Sequence, residues 1–474
     1  MPKTNIIVCL CDQMRPFELG CYGHPVVQTP ALDALAREGV RFEVAVSNNP
    51  VCTPARSCLL SGQYSRTCAG YLGNEGDEAP PFARPRFPTA TLAEALRDAG
   101  YRTALIGKWH VGAHPELLGF DEYVYPKFHH LNKNQLYFEK SGRAFTAPGY
   151  AEDFNQQMLG EALDRYSGDA QPFFIYYNIS TPHMPFFDVP PEYQSMYSAE
   201  QVRLRENVFQ NGEMAGNQAW MNGKRWFEVY LWDYLYYQGT IDVAVPDDFT
   251  LRDLYARYYG MVSYTDYHVG RLMEQLRQRG LAEDTLVVFT SDHGDLLGSH
   301  HLYNKDRLYE EAIRVPLMFH CPHTLAPRTV TTQVASLIDI APTVLSLAGA
   351  ETPAGMQGQD LTPVLTGERA ALERNWAFVE TTVGEIGVRS LTHLVGMQLE
   401  RDQHRTLEGI ALSAPPRRVV EEQHLYFDCH ADPYQMRNLA LTPDDTAREL
   451  RAALARWNAE TPWMEQPVQG AHRK

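Results

Sequence analysis

The stretch of sequence that decides the fold class is NIIVCLC, residues 5–11, which is followed at once by Asp12. The six residues from Ile6 to Cys11 are all apolar, so the run predicts a β-strand that is buried on both faces. A polar residue directly after such a strand lies at its carboxyl end, where open α/β sheets place their ligands. These residues therefore predict a buried parallel strand with a functional residue at its tip.

Three later stretches repeat this pattern of a buried run that ends in polar residues. They are TALI at 103–106 before Gly107 and Lys108, FFIYY at 173–177 before Asn178, and TLVVFT at 285–290 before Asp292. Between these runs, apolar residues recur at helical intervals over 30–39, 91–99, 151–167 and 251–280. The alternation predicts an α/β fold in which a large, mainly parallel sheet is sandwiched by helices.

The last quarter of the chain has a different pattern. An apolar helix near 337–349 precedes short β-like pieces at 376–382, 387–391, 393–399 and 424–428 and a helix near 445–458. Since 474 residues also exceed the size at which one hydrophobic core stops growing, we predict two domains. Residues 1–367 are expected to form the larger domain, which would carry the strand-end polar residues, and residues 368–474 a smaller α+β domain with an antiparallel sheet.

The segment 199–250 interrupts this alternation. It is dense in tryptophan, tyrosine and phenylalanine, and we interpret it as an aromatic-rich insertion. Such a cluster forms a local core, a subunit interface in a homo-oligomer, or a surface that stacks on a sugar or an arene. The sequence leaves these roles open.

Composition and charge narrow the classes of partner. The chain carries 42 Lys and Arg residues against 58 Asp and Glu residues, and its net charge of −16 opposes binding to nucleic acid or to anionic membranes. An anionic substrate would therefore need a local cluster of cations. No apolar run approaches the roughly 20 residues of a membrane helix, and the run from Ile6 to Cys11 is too short for a signal peptide. If Met1 is the native start, the predicted location is cytoplasmic.

One of the eight cysteines has a special context. Six of them lie within the first 68 residues without Cys-x-x-Cys spacing, which predicts neither a zinc site nor a disulfide framework. Cys52, however, begins the run CTPARSCLLSG, residues 52–62. Proline suits the first turn of a helix, and a helix N-terminus presents backbone N–H groups to an anion. The run therefore predicts an oxyanion site at the start of a helix.

The same run closely resembles the signature of the type I sulfatases, the formylglycine-dependent family of the alkaline phosphatase superfamily. Four further motifs match that family in the same order: Asp12-Gln13, GKWHVG at 107–112, TPH at 181–183, and SDHGDLLG at 291–298 followed by Lys305. Shorter matches at 310–316, 425–428, 432–433 and 438–440 extend the resemblance over nearly the whole chain, with 199–250 as the exception. It implies an alkaline phosphatase-like fold and hydrolysis of sulfate esters to an alcohol and inorganic sulfate.

The resemblance also implies a metal site. It makes Asp12, Gln13, Asp292 and His293 ligands of a divalent cation, and the modified Cys52 completes the set. Oxygen-rich ligands suit Ca²⁺, while Mg²⁺ and Mn²⁺ stay open. Many relatives carry aspartate where Gln13 stands and asparagine or histidine where His293 stands, so this set holds fewer negative charges and one imidazole.

The nucleophile that the resemblance implies is made from Cys52. A maturase oxidises the cysteine to formylglycine, and the aldehyde hydrates to a gem-diol. One hydroxyl, acidified by the metal and held by Arg56 and Lys108, attacks sulfur in line and forms a covalent sulfate intermediate.

Two histidines and two lysines have implied roles in charge and proton transfer. Lys108 and Lys305, together with the metal, offset the negative charge on the sulfate oxygens. His183 protonates the departing alcohol, with Lys305 as the second choice, and His110 takes the proton of the second hydroxyl as sulfate is expelled.

Two other functions compete with this interpretation. A phosphonate monoester or phosphodiester hydrolase of the same superfamily shares the formylglycine cysteine and often the Asp12-Gln13 pair, but the run Lys108-Trp109-His110 favours a sulfatase. An inactive relative that binds sulfated ligands would not need to retain the nucleophile, both lysines and both histidines. We expect a sulfated carbohydrate as substrate, because many bacterial relatives of this length act on sulfated glycans; the residues do not identify the sugar.

Overall fold

The computed structural model of the chain describes residues 4–69, 73–74, 87–127, 132–168, 170–208, 247–399, 406–407, 410–411 and 419–464. Most of the predicted insertion, residues 209–246, lies outside these ranges. The larger sheet has eleven strands: β1 (Asn5–Cys11), β2 (Val40–Val46), β3 (Arg102–Gly107), β4 (Glu122–Pro126), β5 (Leu136–Glu139), β6 (Ala144–Thr146), β7 (Phe173–Asn178), β8 (Thr285–Ser291), β9 (Arg314–Val315), β10 (Leu317–His320) and β11 (Arg328–Ser336).

The centre of this sheet is parallel. In the strand order β11-β2-β10-β8-β1-β7-β3-β4-β5-β6, the five strands from β8 to β4 all run in one direction. Cys11 pairs with Ser291, Leu10 with Asn178, and Gly107 also with Asn178. The carboxyl ends of β8, β1, β7 and β3 therefore lie side by side at one edge of the sheet. The polar residues that follow the apolar runs in the sequence predict this arrangement.

Both faces of the sheet are covered by helices. These are α1 (Pro30–Glu38), α2 (Cys52–Ser61), α3 (Ser65–Cys68), α4 (Leu92–Asp98), α5 (Ala151–Ser167), α6 (Pro191–Gln194), α7 (Leu251–Gln278), α8 (Glu310–Ile313), α9 (Leu337–Leu347) and α10 (Thr362–Leu365). On β1, Ile7, Cys9 and Cys11 pack in one cluster with α1, α5 and α7, and Ile6, Val8 and Leu10 pack in another with α2, α4 and α9. Every one of these β1 side chains is fully buried, which explains the unbroken apolar run.

The edges of the sheet depart from the simple parallel pattern. Strand β10 is antiparallel to both β8 and β2, while β5 and β6 extend the other edge as an antiparallel hairpin. These short strands lack the long apolar runs of the central strands, so the sequence pattern does not predict them.

A second, four-stranded antiparallel sheet follows in the chain. It consists of β12 (Trp376–Glu380), β13 (Glu385–Ser390), β14 (His393–Leu399) and β17 (Val419–Asp428), and β15 (Thr406–Leu407) with β16 (Ile410–Ala411) forms a separate pair. Helix α11 (Asp445–Glu460) packs on one face of this sheet. The fold class is confirmed: a large, mostly parallel α/β sheet and a small antiparallel sheet. The domain boundary at residue 367 stays a prediction, and it falls between α10 and β12.

The small sheet shares its core with the large one. On its other face, Ala377, Val379, Leu394 and Phe427 cluster with residues of the larger part, namely Val44, Val46, Leu296, Leu302 and Leu308. The two sheets are therefore joined by a continuous apolar contact. Within the described ranges, no helix combines the length and apolar character that crossing a membrane requires.

Candidate active site

The candidate residues meet at the level carboxyl ends of the central strands. Asp12 follows β1, Asp292 follows β8 and Lys108 follows β3, while Asn178 is the last residue of β7. All four side chains are fully buried. The strand order thus brings together residues that lie up to 280 positions apart, since Asp12 and Asp292 directly follow the adjacent strands β1 and β8.

A glycine allows β3 and β7 to approach closely at this point. Gly107 has φ +89°, and a Cβ atom there would lie only 1.9 Å from the carbonyl oxygen of Asn178. Another residue type would both clash and strain the backbone. Gly107 therefore allows Lys108 to turn into the site directly after the strand.

Cys52 begins helix α2, as the sequence predicts. All ten residues of this helix are buried, and Pro54 stands in its first turn. The side chain of Asn74 caps the helix from outside, because its Oδ1 accepts the backbone N–H of Thr53 at 3.0 Å. Asn74 stands in a Gly-Asn-Glu context that is equally typical of a turn, so its sequence alone does not assign it to the site.

Arg56 connects the strand ends. Its guanidinium donates to Asp12 Oδ2, Asp292 Oδ2 and Asn178 Oδ1, each at 3.0 Å. Lys108 Nζ also donates to Asp12 Oδ2. Two buried carboxylates and two buried cations thus form one ion-paired network, as burial of charge requires. Asn178 is a further partner that the motif match did not name.

The Cys52 thiol lies in a strongly positive field. Lys305 Nζ is 3.0 Å and His293 Nε2 is 3.1 Å from its Sγ, and Asp12 Oδ1 is 3.9 Å away. Burial alone would raise the pKa of the Cys52 thiol, but Lys305, Lys108 and His293 hold it well below its usual value. At Cys9 and Cys11, by contrast, burial raises the thiol pKa. Position 52 is therefore built to carry negative charge.

Backbone carbonyls orient two of the histidines. His293 Nδ1 is 2.9 Å from the oxygen of Gly294, and His183 Nδ1 is 2.6 Å from the oxygen of Met184. A carbonyl only accepts, so each Nδ1 carries the hydrogen. Nε2 of His293 then faces Cys52, and the Nε2 lone pair of His183 accepts from Lys305 Nζ at 3.1 Å. Burial and Lys305 lower the pKa of His183 to about 4, which favours the neutral ring.

His110 completes the surroundings of Cys52. It is buried, has φ +47° and makes a hydrogen bond with Cys52. Burial lowers its pKa, and the contact with Cys52 opposes that effect. A neutral imidazole beside residue 52 is suited to accept a proton from it.

The cluster fits a divalent cation. The ligand atoms of Asp12, Cys52, Asp292 and His293 all lie within 4.8 Å of one another and are buried. Burial and the facing Asp12 raise the pKa of Asp292, so two ionised carboxylates here would be relieved by a bound cation. Gln13 is adjacent, with φ +64°, and its Oε1 accepts from Lys305 Nζ at 3.0 Å. The structure thus brings together every site residue named from the sequence.

Known proteins resemble this chain along most of its length. The profile of the family described as Sulfatase matches residues 4–350. An ulvan-active sulfatase of Formosa agariphila is 29% identical over 93% of this chain and 78% of its own. An N-acetylglucosamine-6-O-sulfatase of Bacteroides thetaiotaomicron is 27% identical over 77% of this chain and 71% of its own.

A solved structure supports the fold. The phosphonate monoester hydrolase of Silicibacter pomeroyi superposes with a TM-score of 0.70 at 20% identity, covering 98% of this chain and 96% of its own. At that identity the likeness establishes the alkaline phosphatase-like fold and leaves the reaction undecided. The family profile is more specific, because it spans well over half of the chain, including all the site residues. The protein therefore belongs to the sulfatase family of sulfuric ester hydrolases.

Proposed function

We propose that this enzyme removes sulfate from a sulfated carbohydrate, with residue 52, oxidised from cysteine to formylglycine, as the nucleophile. The observation that carries the proposal is the position of Cys52 at the start of α2, with Lys305 and His293 about 3 Å from its side chain. A hydroxyl on residue 52 in this field is favoured as an oxyanion. A dedicated maturase supplies the oxidation, so the unmodified protein is expected to be inactive.

We propose Ca²⁺ as the metal, with Mg²⁺ and Mn²⁺ as the alternatives to be tested. Asp12, Asp292, His293 and residue 52 supply its donors, and Gln13 contributes its amide oxygen. When bound, the ion adds positive charge beside the nucleophilic oxygen and the sulfate oxygens. Arg56 holds both carboxylates in place, since it bonds to Asp12 and Asp292 together.

The cations of the chain bind the sulfate group. Lys305 Nζ lies 3.0 Å from Cys52 Sγ and Lys108 is bonded to Asp12, which supports a role for both lysines in offsetting charge beside residue 52, while Arg56 holds the carboxylates. Such fixed charges in a buried site stabilise the transition state without costly reorganisation. His110, in contact with residue 52, accepts its remaining proton when the sulfate leaves.

The departing alcohol receives its proton from the pair Lys305 and His183. In the resting arrangement Lys305 Nζ donates to His183 Nε2, so the mobile proton resides on the lysine. We propose that Lys305 passes this proton to His183 Nε2 and becomes neutral, and that the Nε2–H then exchanges its bond to the lysine for one to the departing oxygen and protonates it. This pairing joins the two acids that the sequence offers as alternatives.

The carbohydrate substrate is supported by the relatives. One is named as active on ulvan, and another as acting at the 6-O-sulfate of N-acetylglucosamine. Hydrolysis of phosphonate monoesters is the second candidate function, because a solved phosphonate monoester hydrolase has the same fold. The motif at Lys108 and His110 favours sulfate esters, and both residues lie within the site.

Mass spectrometry of the Cys52 peptide tests the nucleophile. Protein made together with a maturase is expected to show a loss of roughly 18 Da relative to cysteine. Cys58, in the same helix, should keep its thiol mass and serves as an internal control. An unmodified Cys52 under these conditions contradicts the catalytic proposal.

A hydrolysis panel tests the reaction. It contains sulfated monosaccharides and oligosaccharides, choline sulfate, aryl sulfates and phosphonate monoesters, with Cys52→Ala as the blank and Cys58→Ala as the matched control. Sulfate esters are expected to be the best substrates, and Cys58→Ala is expected to retain activity. If phosphonate monoesters were hydrolysed orders of magnitude faster than every sulfate ester, the protein would be a phosphonate monoester hydrolase and not a sulfatase.

A further inference from the structure

The turn between β12 and β13, residues 381–384, reaches from the small sheet to the loop that carries Lys305. The carboxylate of Asp306 accepts the backbone N–H of Thr382 at 2.7 Å and also its hydroxyl. Two residues further along, the N–H of Leu308 donates to Glu385 at 3.2 Å. The segment that follows Lys305 is thus bonded to the small sheet.

The backbone around Lys305 needs such support. Asn304 has φ +65° and Asp306 has φ +72°, so Lys305 stands between two residues in the left-handed region. Asparagine and aspartate adopt this conformation more readily than most residues other than glycine, and surrounding contacts hold it in place. Leu297, His300 and His301 of the same loop also have positive φ angles.

Some of the supporting bonds lie within the loop. The N–H of Leu296 donates to Asn304 O at 2.6 Å, and that of Gly298 donates to Leu302 O at 2.8 Å. They shape the loop but do not tie it to another element. The bonds of Asp306 to Thr382 link it to a different sheet, directly after Lys305 in the chain.

The position of Lys305 Nζ depends on this backbone. Nζ lies 3.0 Å from Gln13 Oε1, 3.0 Å from Cys52 Sγ and 3.1 Å from His183 Nε2. A displacement of the neighbouring peptide would disturb these three contacts. Misplacement of a reacting group by about 1 Å can cost about 100-fold in rate.

Thr382 also lies near the other loop beside the nucleophile. A Cβ atom built on Gly73 would lie 3.4 Å from Thr382 Cγ2, which is ordinary contact distance. The next residue, Asn74, caps the nucleophile helix through Thr53. The threonine is therefore bonded to the loop that carries Lys305 and lies close to the loop that caps the nucleophile helix.

We propose that Thr382 is a positioning residue for Lys305: through Asp306 it holds the ammonium group over position 52. The small sheet thereby contributes to the reaction without contacting the reacting atoms. The inference rests on the proposed function, which gives Lys305 its roles in binding sulfate and supplying the proton.

Hydrogen exchange tests the structural half of the proposal on unmodified protein. In Thr382→Val, which removes the hydroxyl and keeps the branched shape, the amides of 304–308 are expected to exchange faster than in the parent. Thr382→Ser, which keeps the hydroxyl, should restore protection. Thr332→Val is the matched control, because that hydroxyl bonds to Ala370 O at 2.5 Å, on a different strand. Unchanged exchange at 304–308 in Thr382→Val overturns the proposal.

A double-mutant cycle tests the functional half on formylglycine-containing enzyme. With the sulfate ester of the panel that the parent cleaves fastest, Thr382→Val is expected to lower kcat about tenfold or more, and Thr332→Val is not. In a Lys305→Met background the same Thr382→Val change should cause no further loss, because the two residues act through one group.

The outcomes separate the two proposals. If the parent is active and Thr382→Val lowers kcat equally with and without Lys305, the threonine acts by another route and the positioning role is wrong. A parent that cleaves no member of the panel overturns the proposed function, and the positioning role with it.

Discussion

The carbonyl of Met184 decides which nitrogen of His183 carries its hydrogen. Because Nδ1 donates to that carbonyl at 2.6 Å, Nε2 is left to accept from Lys305. Once Nε2 has taken a proton from Lys305, the imidazolium can give that proton up to an acceptor that is more basic than itself. The departing alkoxide is such an acceptor, so the need for this pair grows with the basicity of the leaving group.

His183→Ala should therefore act selectively on poor leaving groups. We expect hydrolysis of a sugar sulfate to slow by about 10²- to 10⁴-fold, with a much smaller loss for 4-nitrophenyl sulfate, whose leaving group needs no proton. Rates of both substrates measured in the parent, in His183→Ala and in Lys305→Met check this expectation. Equal losses for the two esters would remove His183 from the acid role.

The buried carboxylates give the metal proposal a test that is independent of turnover. Ca²⁺ added to metal-free protein is expected to raise the melting temperature, since a ligand at 100 times its Kd stabilises the native state by about 2.7 kcal/mol. Asp292→Asn removes a donor from the cluster and should abolish that rise. Asp164→Asn is the control, because Asp164 is an exposed residue paired with Arg279. If Ca²⁺ raised the melting temperature of Asp292→Asn as much as that of the parent, Asp292 would not be a metal ligand. The same titrations with Mg²⁺ and Mn²⁺ rank the three ions by affinity.

At the scale of elements, an ion pair joins α8 to β13. Arg389 Nε lies 2.7 Å from Glu310 Oε1, and both side chains are only 3% exposed. Burial would raise the pKa of Glu310, but Arg389 lowers it from 4.5 to about 2. Removing one partner of such a buried pair typically costs about 3–5 kcal/mol.

The pKa of Glu310 predicts where this contribution is lost. Its folded pKa lies below its unfolded value, so the stabilisation is complete above about pH 4.5 and disappears as the pH falls through about 2. Glu310→Gln should melt well below the parent at pH 7, and the difference should narrow between pH 5 and pH 3. Glu43→Gln is the control, because Glu43 forms a more exposed pair with Arg314. A difference that stays constant with pH would contradict this role.

At the scale of the whole molecule, the two sheets depend on each other. Leu296, Leu302 and Leu308 of the larger part share one apolar cluster with Val379 and Phe427 of the small sheet. Arg66 adds a second link, since it pairs with Glu380 at 2.7 Å and lies 4.3 Å from the ring of Trp457 in α11. Separation would expose both surfaces to water.

A chain that ends at residue 367 is therefore expected to aggregate. Residues 368–474 expressed together with it should restore solubility, as size-exclusion chromatography of the mixture would reveal. As a control, the full chain cleaved after folding at a protease site inserted behind residue 367 should stay associated. A soluble 1–367 fragment with the melting temperature of the parent would contradict the shared core.

Much of the fold follows from local patterns. The helices at 30–38, 151–167 and 337–347 lie close to their predicted bounds, because each has an apolar face with helical spacing. The short antiparallel strands β5, β6 and β10 were not predicted, since their pairing depends on long-range neighbours. For the site, the motifs named Cys52 and its partners, whereas Asn74 and Thr382 lie in segments whose local sequence does not distinguish a functional residue from a turn.

By itself, the sequence determined the central strands, the covering helices and the residue types that surround position 52. Apolar periodicity and strand-end motifs are local properties, so they can be read without knowing what packs where. Only the tertiary structure decided that Arg56 joins Asp12 to Asp292, that Lys305 donates to His183, and that Asp306, the residue after Lys305, is bonded to Thr382. Those relations are distances between residues far apart in the chain, and they exist only once both sheets have packed together.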